Sequence, residues 1–383
     1  MRDWPVKSSM IMRKPILSLS SVAVFAAAVL TNTLLADDWL AGMKEGKPAF
    51  QSMGPLAFGP DGILFVGDSK SAQVIAVVTG DIKAASADKP LKVKAINEKI
   101  AGLLGVTADQ VLIDDLAVNP ISRNAYLAVS RGRGPEANPV LVKVTGSGTP
   151  ELVNLDKVKH SVAKLPNAPE DKVSGQGRWA RNQRMEAITD IAFFQDRLLI
   201  AGLSNEEFAS KFRAIPFPFK TVESGTSVEI YHGAHGKFET RSPVRTFVPF
   251  NIGNEPHLIA AYTCTPLVQF PVKQLKSGAK VKGKTIAELG NRNRPIDMVV
   301  YEKDGKEYLL LANSSRGIMK IEAAQIDDAP SIEAKVSDKE GVTYDTIEDW
   351  KGINQLDLFG RSQALVLRSD GEDVLALESL ALP

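Results

Sequence analysis

Three short apolar runs separated by turns recur six times along this chain, and that recurrence constrains the fold more than any other feature. The middle run of each set is the plainest: residues 62–67 (GILFVG), 125–130 (AYLAVS), 197–202 (RLLIAG), 257–262 (HLIAAY), 307–312 (EYLLLA) and 364–368 (ALVLR). Runs at 56–58, 116–118, 191–194, 246–250, 298–301 and 356–359 precede them. Runs at 73–78, 140–144, 227–231, 267–272, 317–321 and 374–377 follow. Breaker residues mark the first turns, as in Pro60-Asp61-Gly62, Asn119-Pro120 and Asp304-Gly305. An apolar run without polar alternation suits a strand buried on both faces. Six such units predict small antiparallel sheets repeated around an axis. The expected fold is all-β, a single β-propeller of about six four-stranded blades. A two-domain β-sandwich is the rival architecture, and it gives no reason for a regular triplet.

Outer strands are expected at 91–96, 151–155, 237–241, 285–289 and 331–336. The sixth unit reaches Pro383 without one, so residues near 47–53 are expected to close the ring by completing the last blade. The one helical pattern is at 95–110, where Ile96, Ile100, Leu103 and Leu104 share a face and Thr107 with Gln110 resembles a capping box. It reads as a short insertion between the first two blades.

Residues 1–36 read as a secretory signal: Arg13 and Lys14, an apolar run at 16–30, then Ala36 before Asp37-Asp38. The run falls short of the roughly 20 apolar residues of a membrane span; an uncleaved anchor is the alternative. Cleavage after Ala36 leaves residues 37–383 as the propeller domain and predicts a periplasmic or extracellular location, with no membrane attachment afterwards. The leader holds four Lys/Arg and one Asp, so the mature chain keeps 42 basic and 44 acidic residues. A net charge near −2 argues against nucleic acid as a partner. The single cysteine, Cys264, forms no internal disulfide, and the domain must rely on its core. A monomer is expected.

The phrase Leu56-Ala57-Phe58-Gly59-Pro60-Asp61-Gly62-Ile63-Leu64-Phe65-Val66 resembles the strand–PDG–strand phrase of the six-bladed propeller group, which includes the NHL-repeat, TolB-like and gluconolactonase-like proteins. It covers one blade well, and the other blades only as pattern. The resemblance implies the fold and little more, because propellers host many unrelated functions. The gluconolactonase-like branch implies a channel metal held by a Glu, Asn and Asp set. This chain has Gly54-Pro55 where that branch has its first Glu, which counts against a lactonase.

In a propeller, loops between blades and loops joining second to third strands share one face. Asp115, Asp190 and Asp297 each sit immediately before a first strand, so all three are expected at one channel mouth. Such carboxylates can hold Ca²⁺ or Mg²⁺, or cap turns and pair with arginines. The ends of second strands add Asp68, Ser130, Thr263 and Asn313. Ten of the 15 mature arginines fall in loops assigned to this face, with Arg131, Arg133, Arg184, Arg292, Arg294 and Arg316 among them. Arginine suits bidentate recognition of carboxylate or phosphate. The face is therefore expected to take an anionic small molecule or an acidic protein surface, unless the arginines only brace loops. Loops at 156–184, with Trp179, and 203–225, with Phe217 and Phe219, are placed on the same face, the phenylalanines either walling a pocket or plugging the core.

His232 and His235 occupy the turn Tyr-His-Gly-Ala-His-Gly, but sequence assigns no third ligand, and a solvated hairpin is the plainer reading. Cys264 lacks an assignable base. No haem, phosphate-loop or nucleophile-elbow motif is present. Two functions lead, beside an accessory role to an exported redox enzyme that rests on compartment and fold alone. One is a non-catalytic ligand- or protein-binding module using an Arg/Asp/Phe-rich face. The other is a metal-dependent hydrolase or lyase with an oxygen-ligated divalent cation.

Overall fold

A computed structural model describes residues 38–85, 89–177, 180–264, 266–369, 371 and 373–383. Residues 1–36, expected to be a signal, and Trp179 lie outside them. The first strands of six sheets stand side by side around one axis. The chain is a six-bladed β-propeller. Blades are named I to VI in the order their first strands appear in the chain. Blade I has Leu56–Phe58, Ile63–Asp68 and Gln73–Val78; blade II has Val111–Val118, Ala125–Arg131, Asn138–Val144 and Pro150–Leu152. Blade III has Asp190–Phe194, Arg197–Leu203, Ser210–Pro216, Thr226–His232 and Lys237–Glu239. Blade IV has Val244–Ile252, Glu255–Tyr262, Pro266–Pro271, Lys284–Leu289 and Lys339–Gly341. Blade V has Pro295–Lys303, Lys306–Asn313, Gly317–Glu322 and Asp345–Thr346. Blade VI has Ile353–Phe359, Gln363–Ser369 and Leu375–Ala381.

Spatial order departs from chain order. Six hydrophobic clusters fill the six gaps between blades, and their membership gives the ring as II, I, III, IV, V, VI and back to II. Leu64 and Val66 of blade I meet Ala117 and Tyr126 of blade II on one side. On the other side Ile63 and Phe65 meet Leu198 and Ile200 of blade III. Blade VI closes on blade II through Leu365 and Leu367 against Leu127 and Val129. Middle strands are thus packed from both sides, which is why all of Ile63–Asp68 is buried and why such runs carry no alternation.

Blade I is completed by Val158–Lys164, a strand that follows blade II, with Lys44–Gly46 paired outside it. Blade VI is completed by Lys92–Val93, Val93 standing opposite Leu377 and Lys92 opposite Glu378. The closing strand is therefore not the 47–53 segment. That segment runs instead past blade I, where Gln51 N and Ser52 N donate to the buried Asp68 carboxylate at 2.9 and 3.0 Å. Two other expectations shift. Thr226–His232 is the fourth strand of blade III, because Ser210–Pro216 occupies the third place. Residues 331–336 do not complete blade V; Asp345–Thr346 does, while Ile332 N and Val336 N bond Thr285 O and Gly233 O on blades IV and III. The edges of blades I and VI are thus taken by segments remote in sequence, which pairing rules alone do not reveal.

The helix is shorter than its pattern, Ile96–Leu104, and Gly105 ends it at φ +65°, a left-handed position that glycine takes without strain. Ile96 and Ile100 are fully buried between blades II and VI, and Leu103 is exposed. Asn97 ties the helix to blade VI, accepting from Leu375 N at 2.9 Å and donating to Asp373 O at 2.8 Å. Among the described residues no helix is long and apolar enough to cross a membrane.

Candidate functional site

Four first strands carry an inward aspartate, and each reaches the backbone of a neighbouring blade. Asp115 Oδ2 accepts from Leu56 N at 2.6 Å, and Asp190 Oδ2 from Phe247 N at 2.8 Å. Asp297 Oδ2 accepts from Leu356 N at 2.8 Å, and Asp357 Oδ2 from Val118 N at 2.7 Å. A register shift lies between Ile113 and Asp115, and another between Pro295 and Met298, so both strands kink where the aspartate turns inward.

Two cavities open along the axis, of about 600 and about 440 Å³. Asp115, Asp190 and Asp297 line both, so these carboxyls form the waist between them. The larger vestibule lies at the end where the first strands begin, and Asp114, Arg181, Glu186, Thr189, Arg245 and Arg294 surround it. The smaller lies toward the first hairpin turns, among Phe58, Val118, Phe193 and Pro249.

Loss of water pushes every waist carboxyl above its ordinary range. Asp115 is raised well above 3.8, by burial first and then by the charges of Asp297 and Asp190. Burial and the charges of Asp190 and Asp357 raise Asp297 similarly. Burial lifts Asp190 to about 7 and Asp357 to about 6, against the amides that favour their charged forms. Asp114, bonded by Ser130 Oγ at 2.6 Å, is also raised by burial to about 6. Near neutrality, then, the waist presents carboxylic acids as well as carboxylates. Such groups can donate hydrogen bonds to a ligand, hold protons, or give those protons up to a cation. Their oxygens do not form a set all within 4.8 Å of one another; among the described residues the only such group of three is His232, His235 and Glu239.

The arginines divide by surroundings. Arg245 Nη2 meets Glu186 Oε1 at 2.8 Å, and its Nε donates to Thr263 Oγ1 at 3.0 Å. Arg294, beside it, makes no side-chain hydrogen bond or ion pair among the described residues. Burial and the Arg245 charge push the Arg294 guanidinium below its ordinary value. Arg184 braces loops, donating to Pro169 O and, at 3.2 Å, to Lys70 O. Arg133 Nε donates to Asp109 O at 2.7 Å. Arg316 Nη2 reaches Asn291 O at 3.3 Å and Asp338 at 3.5 Å. Arg131 and Arg292 are exposed and line neither cavity.

Asn313 is buried and spent on its turn: Nδ2 donates to Asn293 at 2.9 Å, and Oδ1 accepts from Ser315 N and Arg316 N. It is therefore not open to a ligand. Phe217 and Phe219 are corrected in place as well. They follow the third strand of blade III, on the opposite face, where Phe217 N bonds Asp196 O in the hairpin turn. Both rings pack around Phe65, with centroids 4.9 and 6.0 Å away, so they fill core rather than wall the vestibule.

Sequence reading missed Glu186, Arg245 and Asp357. Asp357 lies well inside its first strand, Ile353–Phe359, and a polar residue within the apolar run 356–359 was the available signal. Glu186 and Arg245 are set by packing: Gly202 has no side chain, and a Cβ there would lie 2.1 Å from Ala187 O. That contact lets residues 186–189 fold over the strand end and bring Glu186 into the vestibule.

No family model matches the chain, and no curated protein matches it. Solved structures similar to it include a Thermus thermophilus oxidoreductase described as a glucose dehydrogenase, 12% identical, covering 88% of this chain and 100% of that one at TM-score 0.32. The PQQ-bound aldose sugar dehydrogenase of Streptomyces coelicolor is 11% identical, covering 88% and 96% at TM-score 0.27. A Xanthomonas campestris gluconolactonase is 9% identical, covering 90% and 91% at TM-score 0.30.

Proposed function

We propose that this propeller binds a small anionic ligand in its larger vestibule, with Arg294 as the anchoring cation and the waist carboxyls as the floor. The observation that carries the reading is the state of Arg294. Arg294 lines the vestibule beside Arg245 with its side chain open to solvent and without a hydrogen bond or ion pair of its own among the described residues, and its planar fork can grip carboxylate or phosphate oxygens at two points. Arg245, already paired with Glu186, adds positive field rather than a free fork. Protonated waist carboxyls can donate to the same ligand instead of repelling it. A cavity of about 600 Å³ is of metabolite size, which favours a small molecule over an acidic protein surface. The leader at 1–36 supports export, so the ligand would be met outside the cytoplasm.

Calorimetric titration with inorganic phosphate and citrate, using glucose as the neutral control, tests the reading. Citrate or phosphate should bind and glucose should not, and Arg294→Ala should weaken the anion at least about tenfold, the size of one charge-assisted bond. Undiminished affinity in that variant, or no anion binding by the native chain, removes the proposal.

The repulsion among Asp115, Asp190 and Asp297 favours a second reading, a hard divalent cation at the waist serving a hydrolase or lyase. With no shared 4.8 Å cluster, Ca²⁺ or Mg²⁺ would be held partly through water. Either ion should then raise the unfolding midpoint as its concentration rises to millimolar. A flat midpoint excludes this occupant.

A further inference from the structure

On the outer rim, far in sequence from the waist residues Asp115 and Asp297, the fourth and fifth strands of blade III turn through Tyr231-His232-Gly233-Ala234-His235-Gly236. His235 N and Gly236 N both bond His232 O, and Gly236 takes φ +66°, so the hairpin is tight. The two imidazoles face one another with centroids 3.8 Å apart. Glu239, returning on the fifth strand, reaches both: Oε1 lies 2.6 Å from His235 Nδ1, and Oε2 lies 3.2 Å from His232 Nδ1. One ligand atom from each of the three residues falls within 4.8 Å of the other two. Ser242 Oγ donates to Glu239 Oε2 and fixes the carboxylate.

His232 is also buried, at 2% exposed, without partners for its ring nitrogens despite the nearby carboxylate. Its Nε2 faces Glu288 Oε2 of blade IV at 4.0 Å, and that oxygen also lacks a partner in a residue only 1% exposed. Glu288 is itself anchored, since Gly233 N donates to its Oε1 at 2.6 Å. Orphaned polar atoms at this depth are costly in any fold. Here they converge on one point between two blades.

We propose that His232, His235 and Glu239 bind a transition-metal ion of the Zn²⁺ class, with Glu288 orienting His232 from behind. Two imidazole nitrogens and one carboxylate oxygen are a donor set that zinc accepts, and that Ca²⁺ or Mg²⁺, which prefer all-oxygen shells, do not. With Nδ1 of His232 on the metal, Nε2–H is left to face Glu288, the carboxylate–histidine–metal arrangement that fixes ring and tautomer. His235 is 47% exposed, so the ion enters from solvent on that side. The ion would tie the blade III hairpin to the blade IV outer strand.

The test uses the full chain freed of metal by chelator, titrated with Zn²⁺ by calorimetry and with Co²⁺ by visible absorption. One Zn²⁺ per chain should bind, raise the unfolding midpoint, and displace Co²⁺ with loss of its tetrahedral d–d bands. His235→Ala, at an exposed position, should leave the metal-free chain folded and weaken Zn²⁺ at least about tenfold. Glu288→Gln should cost about 10–100-fold in affinity, as removal of an outer partner does. The proposal is overturned if the native chain gives neither heat nor cobalt bands. It is equally overturned if His235→Ala and Glu239→Gln both bind Zn²⁺ as the native chain does, since the ion would then sit elsewhere.

Discussion

Asp357, in the last blade, accepts a 2.7 Å hydrogen bond from the backbone amide of Val118, in the second blade, across 239 positions of chain. Its other oxygen accepts from Leu358 N at 2.7 Å. One side chain thus joins the two first strands at the closing gap of the ring.

Asp357→Ala leaves the Val118 amide at that gap without its acceptor. The expected cost is about 1–3 kcal/mol. A thermal midpoint lower by several degrees, read by circular dichroism, is the expected outcome, and an unchanged midpoint would mean that the bond contributes nothing to closure.

The waist carboxyls predict how stability follows pH. Burial lifts Asp190 to about 7 and Asp357 to about 6 in the folded chain, against 3.8 ordinarily, and raises Asp115 and Asp297 as well. The folded chain therefore holds protons that the unfolded chain has released, and stability falls as pH rises from about 4 toward 7. Asp190→Asn removes one of these groups and should flatten that decline. Unfolding midpoints measured across the window for both proteins decide it; parallel curves would refute the role of Asp190.

Closure by Lys92–Val93 is testable by crosslinking. Lys92 stands opposite Glu378 in register, the spacing at which paired strands bring Cβ atoms about 4.5–5.5 Å apart. In a Cys264→Ser background, Lys92→Cys with Glu378→Cys should oxidise to a disulfide that changes mobility on a non-reducing gel. Failure to crosslink, with a free thiol count of two, would place another segment at that edge.

Legibility in the sequence followed locality. The first and middle strands of every blade could be read because their apolar runs and turns lie within a dozen residues of one another, and the burial of Leu64, Leu127 and Leu310 answers to that pattern. The aspartates at 115, 190 and 297 could be read as neighbours once the repeat was granted. Outer strands could be read where they follow their own blade, as at Pro150–Leu152 and Lys284–Leu289, but not at blades I and VI, because Val158–Lys164 and Lys92–Val93 pair with strands that their local sequence does not name. The vestibule was half legible: Arg294 sat in a recognised loop, while Glu186 and Arg245 meet across 59 positions through packing. Phe217 shows the converse: loop length assigned it to the wrong face, while its expected alternative role of filling core is what the strand gives it.

The sequence by itself determined the blade, since a hydrophobic triplet with turn chemistry can bury its faces only by stacking against others like it. Tertiary structure decided the order of the blades, the segments that seal blades I and VI, and which polar groups meet. Those outcomes depend on which edges and which charges come within a few ångströms of each other, and contacts between residues hundreds of positions apart leave no periodic trace in the chain.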